Sequence, residues 1–291
     1  MASKLKELCD LFMNMPYKNA IYKFCSGFNV KILLVFAFLL VVGCDLFEYS
    51  PYQIVLADDE KNLTEKNLQK IYLQTPDDTV RIILMGDTQR FYDDVDDFVK
   101  KANTLENIDF VLHAGDISDF GLAQEFKWVH HIMRKLEVPY LTVVGNHDLI
   151  TNGPKVYREM FGDFNYSMIY GGIKFIFVNT NSREYDFDGT VPDLNWLEAQ
   201  LSGDDFDRAV IVAHIPPFDN DFDTEKELAF SGLLRNSGKV DLSLHGHLHS
   251  FSESEPYNDG ITYFITTAQK KRGFALITLW EGGKRIERIE F

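Results

Sequence analysis

The chain has 291 residues, 45% of them hydrophobic and 14% aromatic, with a formal net charge of −15. That is enough for one well-buried α/β domain plus accessory segments, and no fixed-period repeat or long low-complexity tract appears. Residues 1–43 carry five Lys against two acids, so the remainder stands at −18, which argues against non-specific binding to nucleic acid or to an anionic membrane surface.

The first 44 residues read as separate from the fold. Residues 32–42 are an unbroken apolar run of eleven, behind Lys18, Lys23 and Lys31. The run is too short to span a bilayer comfortably. A basic region, an apolar core and small residues before a break describe a secretory signal. The break, Val41-Val42-Gly43-Cys44, resembles a bacterial lipobox. That resemblance implies cleavage before Cys44, lipidation of Cys44 and a membrane-anchored lipoprotein of the cell envelope. A signal anchor that stays attached is the alternative, and Met13 or Met15 are alternative starts. Cys9 and Cys25 fall in the signal, so the mature chain keeps only Cys44 and forms no internal disulfide.

Residues 44–79 are polar and mixed, and read as a tether with a short helix near 65–73. The folded domain is expected over residues 80–291. Residues 80–85 are a strand, followed by an acidic amphipathic stretch over 93–105. Residues 110–113 are a second strand, 122–136 repeat at helical spacing, and 140–144 are a third strand. Residues 166–170 and 174–179 flank Gly171-Gly172 as a hairpin. A helix over 193–201 leads to a strand at 209–213, then a helix over 225–234 and a strand at 240–244. Residues 261–267, 274–280 and 285–289 read as strands. Short fully apolar runs suit buried strands and the intervening helices suit crossovers. The fold class is α/β, with two facing mixed β-sheets flanked by helices.

Five short segments stand at strand ends: Gly86-Asp87-Thr88-Gln89, Gly115-Asp116-Ile117-Ser118-Asp119, Gly145-Asn146-His147-Asp148, Ala213-His214 and His245-Gly246-His247-Leu248-His249. Any one of them suits a turn or a cap. Together they place metal-ligand types where ligands collect in open α/β sheets, beyond the carboxyl ends of strands. Asp87, Asp116, Asn146, His214, His247 and His249 offer carboxylate, amide and imidazole donors without thiolate. Such sets suit Mn²⁺, Fe, Zn²⁺ or Co²⁺ rather than a closed structural zinc site. In an extended segment His247 and His249 would point the same way and His245 away, and Asp87 and Gln89 would likewise face the site together.

These motifs, in this order, resemble the calcineurin-like metallophosphoesterase family over roughly residues 80–270. The resemblance implies a double β-sandwich flanked by helices and two divalent ions, Mn²⁺ favoured. It implies that Asp87, Asp116 and His249 hold one ion and that Asp116, Asn146, His214 and His247 hold the other. Asp116 would bridge them, and His147 would be an acid or oxyanion donor rather than a ligand. The family's first motif is usually Asp-x-His, whereas this chain has Asp87-Thr88-Gln89. Gln89 is either a weaker oxygen ligand, favouring Mn²⁺ or Mg²⁺ over tightly held iron, or no ligand. Two cations about 3.5–4 Å apart share a hydroxide, lower its pKa and neutralise phosphate oxygens.

Asp119 or Asp148 would orient His147, with Asp119 favoured by the resemblance and a helix cap its alternative. The expected activity is hydrolysis of phosphate esters, with phosphodiester or nucleotide-type substrates favoured. A phosphomonoesterase and a catalytically weak metal-binding envelope lipoprotein are the alternatives. Arg90 reads as a phosphate contact or a solvated arginine. Arg183, Tyr185, Phe187, Phe218 and Phe222 read as substrate-loop residues or as cover for a core edge. Lys270-Lys271-Arg272 reads as a solvated turn. His130 and His131 are expected at the surface, and His113 inside.

Overall fold

Strand β1 (Thr79–Met85) shows how one apolar run serves two cores. Ile83 and Met85 pack outward beneath helices, while Val80, Ile82 and Leu84 pack inward between the sheets. The protein is described by a computed structural model covering residues 50–291, in which Pro51–Phe291 form one compact unit. The expected signal and Cys44 lie outside the described residues.

β1 pairs in parallel with β2 (Phe110–His113), and β2 pairs in parallel with β3 (Tyr140–Thr142). On its other side β1 pairs antiparallel with β10 (Gly273–Trp280), which pairs with β11 (Gly283–Glu290). The second sheet holds β4 (Tyr166–Tyr170), β5 (Ile173–Val178), β6 (Arg208–Ala213), β7 (Val240–His245), β8 (Ser252–Ser254) and β9 (Thr262–Ile265). Its order is β4-β5-β6-β7-β9-β8, with β5, β6, β7 and β9 parallel. Both sheets are mixed, as expected. The β4–β5 hairpin turns on Gly171 and Gly172, with φ of 57° and 74°, the left-handed pair that a type I′ turn requires.

Between the sheets, Phe175, Phe177, Val210 and Val212 meet Leu84, Phe110, Leu112 and Ile277. Burying each phenylalanine contributes roughly 1.5–3 kcal/mol. Helices α2 (Tyr92–Ala102), α3 (Ala123–Met133) and α4 (Gly153–Met160) cover the first sheet through Phe98, Phe126 and Tyr157. Helices α5 (Leu194–Leu201) and α6 (Thr224–Ser237) cover the second through Leu197, Leu201, Phe230 and Leu234. Asp193 caps α5 by accepting Trp196 N at 3.0 Å, and Asp223 caps α6 by accepting Glu225 N at 3.0 Å. Among the described residues no helix is long and apolar enough to cross a membrane.

Three expectations change. Part of residues 51–79, expected as a tether, packs onto the domain, and the short helix expected near 65–73 is present. Helix α1 (Leu63–Tyr72) buries Leu63 and Ile71 in two different cores. Glu60, also buried, meets Lys127 and His131 of α3. Helix α4 was not anticipated, because its Gly153-Pro154 start reads as a turn, although proline in the first turn suits a helix.

The third is His130, which is only 6% exposed, its Nδ1 2.9 Å from the Tyr140 hydroxyl. Burial, with help from His131 and Arg134, pushes its pKa down to about 4. The unfolded chain therefore takes up this proton near pH 6.5, while the fold resists it until about pH 4, so stability falls as pH drops through that window. Urea midpoints measured from pH 6.5 to 4.5 should decline less steeply in His130→Gln, by up to about 1.4 kcal/mol per pH unit. Equal slopes in the two proteins would refute this account.

Candidate metal centre

All five motif segments meet at one end of the sandwich. Parallel pairing sends β1, β2 and β3 out at one edge, and β6 and β7 out at the corresponding edge of the other sheet. The two edges are joined by the His214 ring, whose Nδ1 donates to Ala114 O at 2.6 Å, and by a parallel bridge between Gly86 and Ala268. The chain then reverses tightly. Asp87, Gln89, Asp116, His247 and His249 all have positive φ, between 38° and 69°. Non-glycine residues rarely sit there, and such strain, on the order of 1 kcal/mol or more each, clusters at functional sites. His247 and His249 reach the centre through these turns and not through strand alternation, which corrects the reason given for their common orientation.

The donor atoms of these segments lie close together. Asp87, Asp116 and His214, all buried, place one donor atom each within 4.8 Å of one another. Asp87 Oδ1 lies 3.2 Å from His249 Nε2 and accepts His247 N at 3.2 Å. Asp116 Oδ1 lies 3.3 Å from His214 Nε2. Asn146 Oδ1 stands 3.0 Å from His214 Nε2 and 3.2 Å from His247 Nδ1. Gln89 is buried beside them, its Nε2 3.2 Å from Asp116 Oδ2.

Electrostatics fits a cation here. Burial would raise the Asp116 carboxyl, but the His214 imidazole beside it holds it well below the usual carboxylate range. Burial would lower His214, but Asp116, Asp87 and the Ala114 carbonyl hold it well above the usual imidazole range. The centre thus retains a proton where its oxygens demand positive charge. Asp87 Oδ2 is buried without a hydrogen-bond partner. Leaving a buried carboxylate oxygen unpaired is costly, and a divalent cation satisfies it. The mixed oxygen and imidazole set suits a hard or borderline metal.

A scaffold the sequence did not mark holds this set. Asp148 accepts Ser118 N at 2.8 Å, Gly145 N at 2.9 Å and Ile117 N at 3.2 Å, tying the loops after β2 and β3 together. Burial and the nearby Asp116 push its pKa up to about 6 against those three donors. Asp148→Ala would leave the donors buried and unpaired, at a cost of about 3 kcal/mol or more in urea unfolding. A loss below 1 kcal/mol (order of magnitude) would contradict the role. Behind the centre His113, buried and pushed down to about 3 by burial, accepts Gly115 N at 3.2 Å through Nδ1. That leaves its Nε2–H for Thr88 Oγ1 at 3.1 Å. Gly115 has φ of +92°, and a Cβ there would stand 2.6 Å from His214 Nδ1.

His147 is oriented by a backbone carbonyl. Its Nδ1 donates to Asp119 O at 2.8 Å, whereas the Asp119 carboxylate is 3.7 Å away. Asp148 is committed to backbone donors, whereas Asp119, expected to orient His147, does so through its carbonyl, with its carboxylate at ion-pair distance helping to hold the ring cationic. Asp119 does not cap α3, since Glu125 accepts Phe120 N at 2.9 Å and Leu122 N at 3.2 Å. Arg90 is largely exposed, its Nε 3.5 Å from Asp119 Oδ2. Phe222 lies fully in the core of the second sheet and is structural, while Phe218 meets Tyr263 edge to face and stays partly exposed. His245 is buried beside Ser243. Arg272 pairs with Asp94 at 2.8 Å and Asp97 at 3.0 Å, and Lys271 Nζ donates to Ser250 Oγ at 2.6 Å, so the basic cluster is tied down at two of its three members.

Residues 80–251 match the family model described as calcineurin-like phosphoesterase. The chain belongs to that family. The family is one of phosphoesterases, and this chain brings together buried residues that could hold a metal ion. A probable glycerophosphodiester phosphodiesterase from Arcobacter nitrofigilis is 29% identical over 115 residues, covering 38% of this chain and 42% of that protein. This calcineurin-like chain thus spans less than half of that relative. A 3′,5′-cyclic-nucleotide phosphodiesterase from Nostoc sp. is 23% identical over 210 residues, 63% of this chain and 78% of that protein. The fold is that of a dimetal phosphatase from Danio rerio (TM-score 0.58, 15% identity, 72% of this chain and 97% of that one). It is equally that of a purple acid phosphatase from yellow lupin (TM-score 0.59, 16% identity, 75% and 52%).

Proposed function

We propose that this calcineurin-like phosphoesterase is a two-metal phosphodiesterase. The observation that carries the reading is the convergence of buried Asp87, Asp116 and His214, with Asp87 Oδ2 unpaired, on one point between the sheets. Asp87, Asp116, His249 and the Gln89 amide oxygen would hold one ion, and Asp116, Asn146, His214 and His247 the other. The weak, oxygen-donating Gln89 favours Mn²⁺ over iron at the first position. When bound, the ions supply an activated water and neutralise phosphate charge.

The chain's own residues do the rest. The Ala114 carbonyl holds the Nδ1 proton of His214 and so points Nε2 into the centre. The Asp119 carbonyl does the same for His147, leaving that ring's Nε2 as the atom that gives a proton to the leaving oxygen. Asp116, although buried as a ligand, also fixes the His147 backbone by accepting its N–H at 3.0 Å.

The substrate class follows from the phosphodiesterase names of the sequence relatives and from Gln89. The domain would work outside the cytoplasm, anchored by lipidated Cys44. With Mn²⁺, bis(p-nitrophenyl) phosphate should be turned over with kcat/KM at least about tenfold above that for p-nitrophenyl phosphate, a difference of about 1.4 kcal/mol in transition-state binding. The activity should sediment with membranes, and a labelled fatty acid should be incorporated into the protein but not into Cys44→Ala. A preference for the monoester would replace this reading with a phosphomonoesterase, and activity already soluble in the unaltered protein would overturn the anchoring.

A further inference from the structure

The loop after β6 carries two carboxylates that the ligand set leaves unused. Asp219 Oδ1 and Asp221 Oδ2 lie 3.5 and 3.4 Å from His247 Nε2. The other ring nitrogen, Nδ1, is 3.2 Å from Asn146 Oδ1. A neutral imidazole carries one proton, so the proton sits either on Nδ1, facing the amide oxygen, or on Nε2, facing the carboxylates. Hydrogen bonds to an ionised acceptor are roughly twice as strong as those to a neutral one, which favours Nε2.

The two acids have different duties. Asp219 Oδ1 accepts Asp221 N at 2.9 Å and closes the turn that shapes the loop. Asp221 is gripped from outside, with Arg183 Nη2 2.5 Å from its Oδ1 and Arg183 N donating to its carbonyl at 3.3 Å. That grip leaves Oδ2 facing the ring. Metal-binding histidines commonly give their second N–H to a carboxylate, which fixes the tautomer and the ring orientation.

We propose that Asp221, clamped by Arg183, is a positioning residue that keeps the His247 proton on Nε2 and so aims Nδ1 at the Asn146 side of the centre. The role rests on the two-metal reading, because it is the orientation of a ligand. A separate cation held by Asp219, Asp221 and His247 is the competing use of the same atoms. It would require His247 to carry its proton on Nδ1, facing Asn146, or to hold two ions at once with both nitrogens free of protons.

The test has two arms. In metal-free, ¹⁵N-histidine-labelled protein at pH 8, two-dimensional ¹H–¹⁵N spectra should show His247 as the Nε2–H tautomer, moving toward Nδ1–H in Asp221→Ala. In chelator-competition titrations with Mn²⁺, the weaker of the two sites should lose about 10–100-fold in affinity in Asp221→Ala. Asp221→Asn should lose less, because its amide oxygen still accepts the proton, and Arg183→Met should fall between. These two milder variants carry the test if Asp221→Ala does not fold. An Nδ1–H tautomer in the unaltered protein overturns the proposal, as does unchanged Mn²⁺ affinity in the folded variants. A third Mn²⁺ per chain that disappears in Asp221→Ala also overturns it, in favour of the separate cation. If the unaltered protein takes up no metal, the two-metal reading falls and this inference falls with it.

Discussion

Asp116→Ala is expected to reduce kcat/KM by more than about 100-fold and to strip the protein of bound metal. Losing a residue that merely supports a metal ligand costs about 10–100-fold, and Asp116 faces the centre itself. It is 1% exposed. Its Oδ1 meets His214 Nε2 at 3.3 Å and accepts His147 N at 3.0 Å, while its Oδ2 accepts from Gln89 Nε2 at 3.2 Å. One substitution therefore removes a proposed metal ligand, the counter-charge that keeps His214 protonated in the metal-free protein, and the anchor of the His147 backbone. Metal content by elemental analysis and turnover with saturating Mn²⁺ check this. A metal-loaded, active Asp116→Ala would rule out a bridging role.

His147→Ala should separate chemistry from metal binding. The ring touches none of the converging donor atoms; its Nδ1 is spent on the Asp119 carbonyl. Burial alone would lower its pKa, but Asp116, the Asp119 carbonyl and the carboxylates of Asp119 and Asp148 raise it. The acid form therefore persists above the usual imidazole value, and rate should fall on the alkaline side only beyond about pH 6.5. Removing a positioned acid costs about 10²–10⁴-fold in kcat. The loss should be greatest for alkoxide leaving groups and smallest for p-nitrophenolate, which needs no proton. The alkaline limb should vanish from the variant's pH profile while Mn²⁺ affinity holds. An equal loss for both leaving groups would remove His147 from proton transfer.

Much of this was legible because the chemistry sits at strand ends. An apolar run that stops at Gly-Asp or Gly-Asn announces both the strand and the loop beyond it, so the positions of Asp87, Asp116 and Asn146 followed from local pattern. Contacts across long separations were not legible. Asp148 reaches Ser118 and Ile117, some 30 residues back, and nothing in Gly145-Asn146-His147-Asp148 tells which side chain turns inward. Orientation by backbone carbonyls, as for His147 and His214, leaves no trace in side-chain identity. Residues 51–79 looked like a tether because their polar composition hides two apolar anchors, Leu63 and Ile71, eight positions apart on one helix. His130 looked like a surface residue because its partner, Tyr140, comes from a different element.

The central claim is that one buried cluster binds divalent metal and that hydrolysis of the ester depends on it. The most direct measurement takes chelator-stripped protein, confirms by circular dichroism that it stays folded, and follows bis(p-nitrophenyl) phosphate hydrolysis as Mn²⁺ is added back. The expected result is no turnover without metal and full recovery at two Mn²⁺ per chain, with no recovery in Asp116→Ala. Undiminished turnover by the stripped, folded protein would contradict the claim.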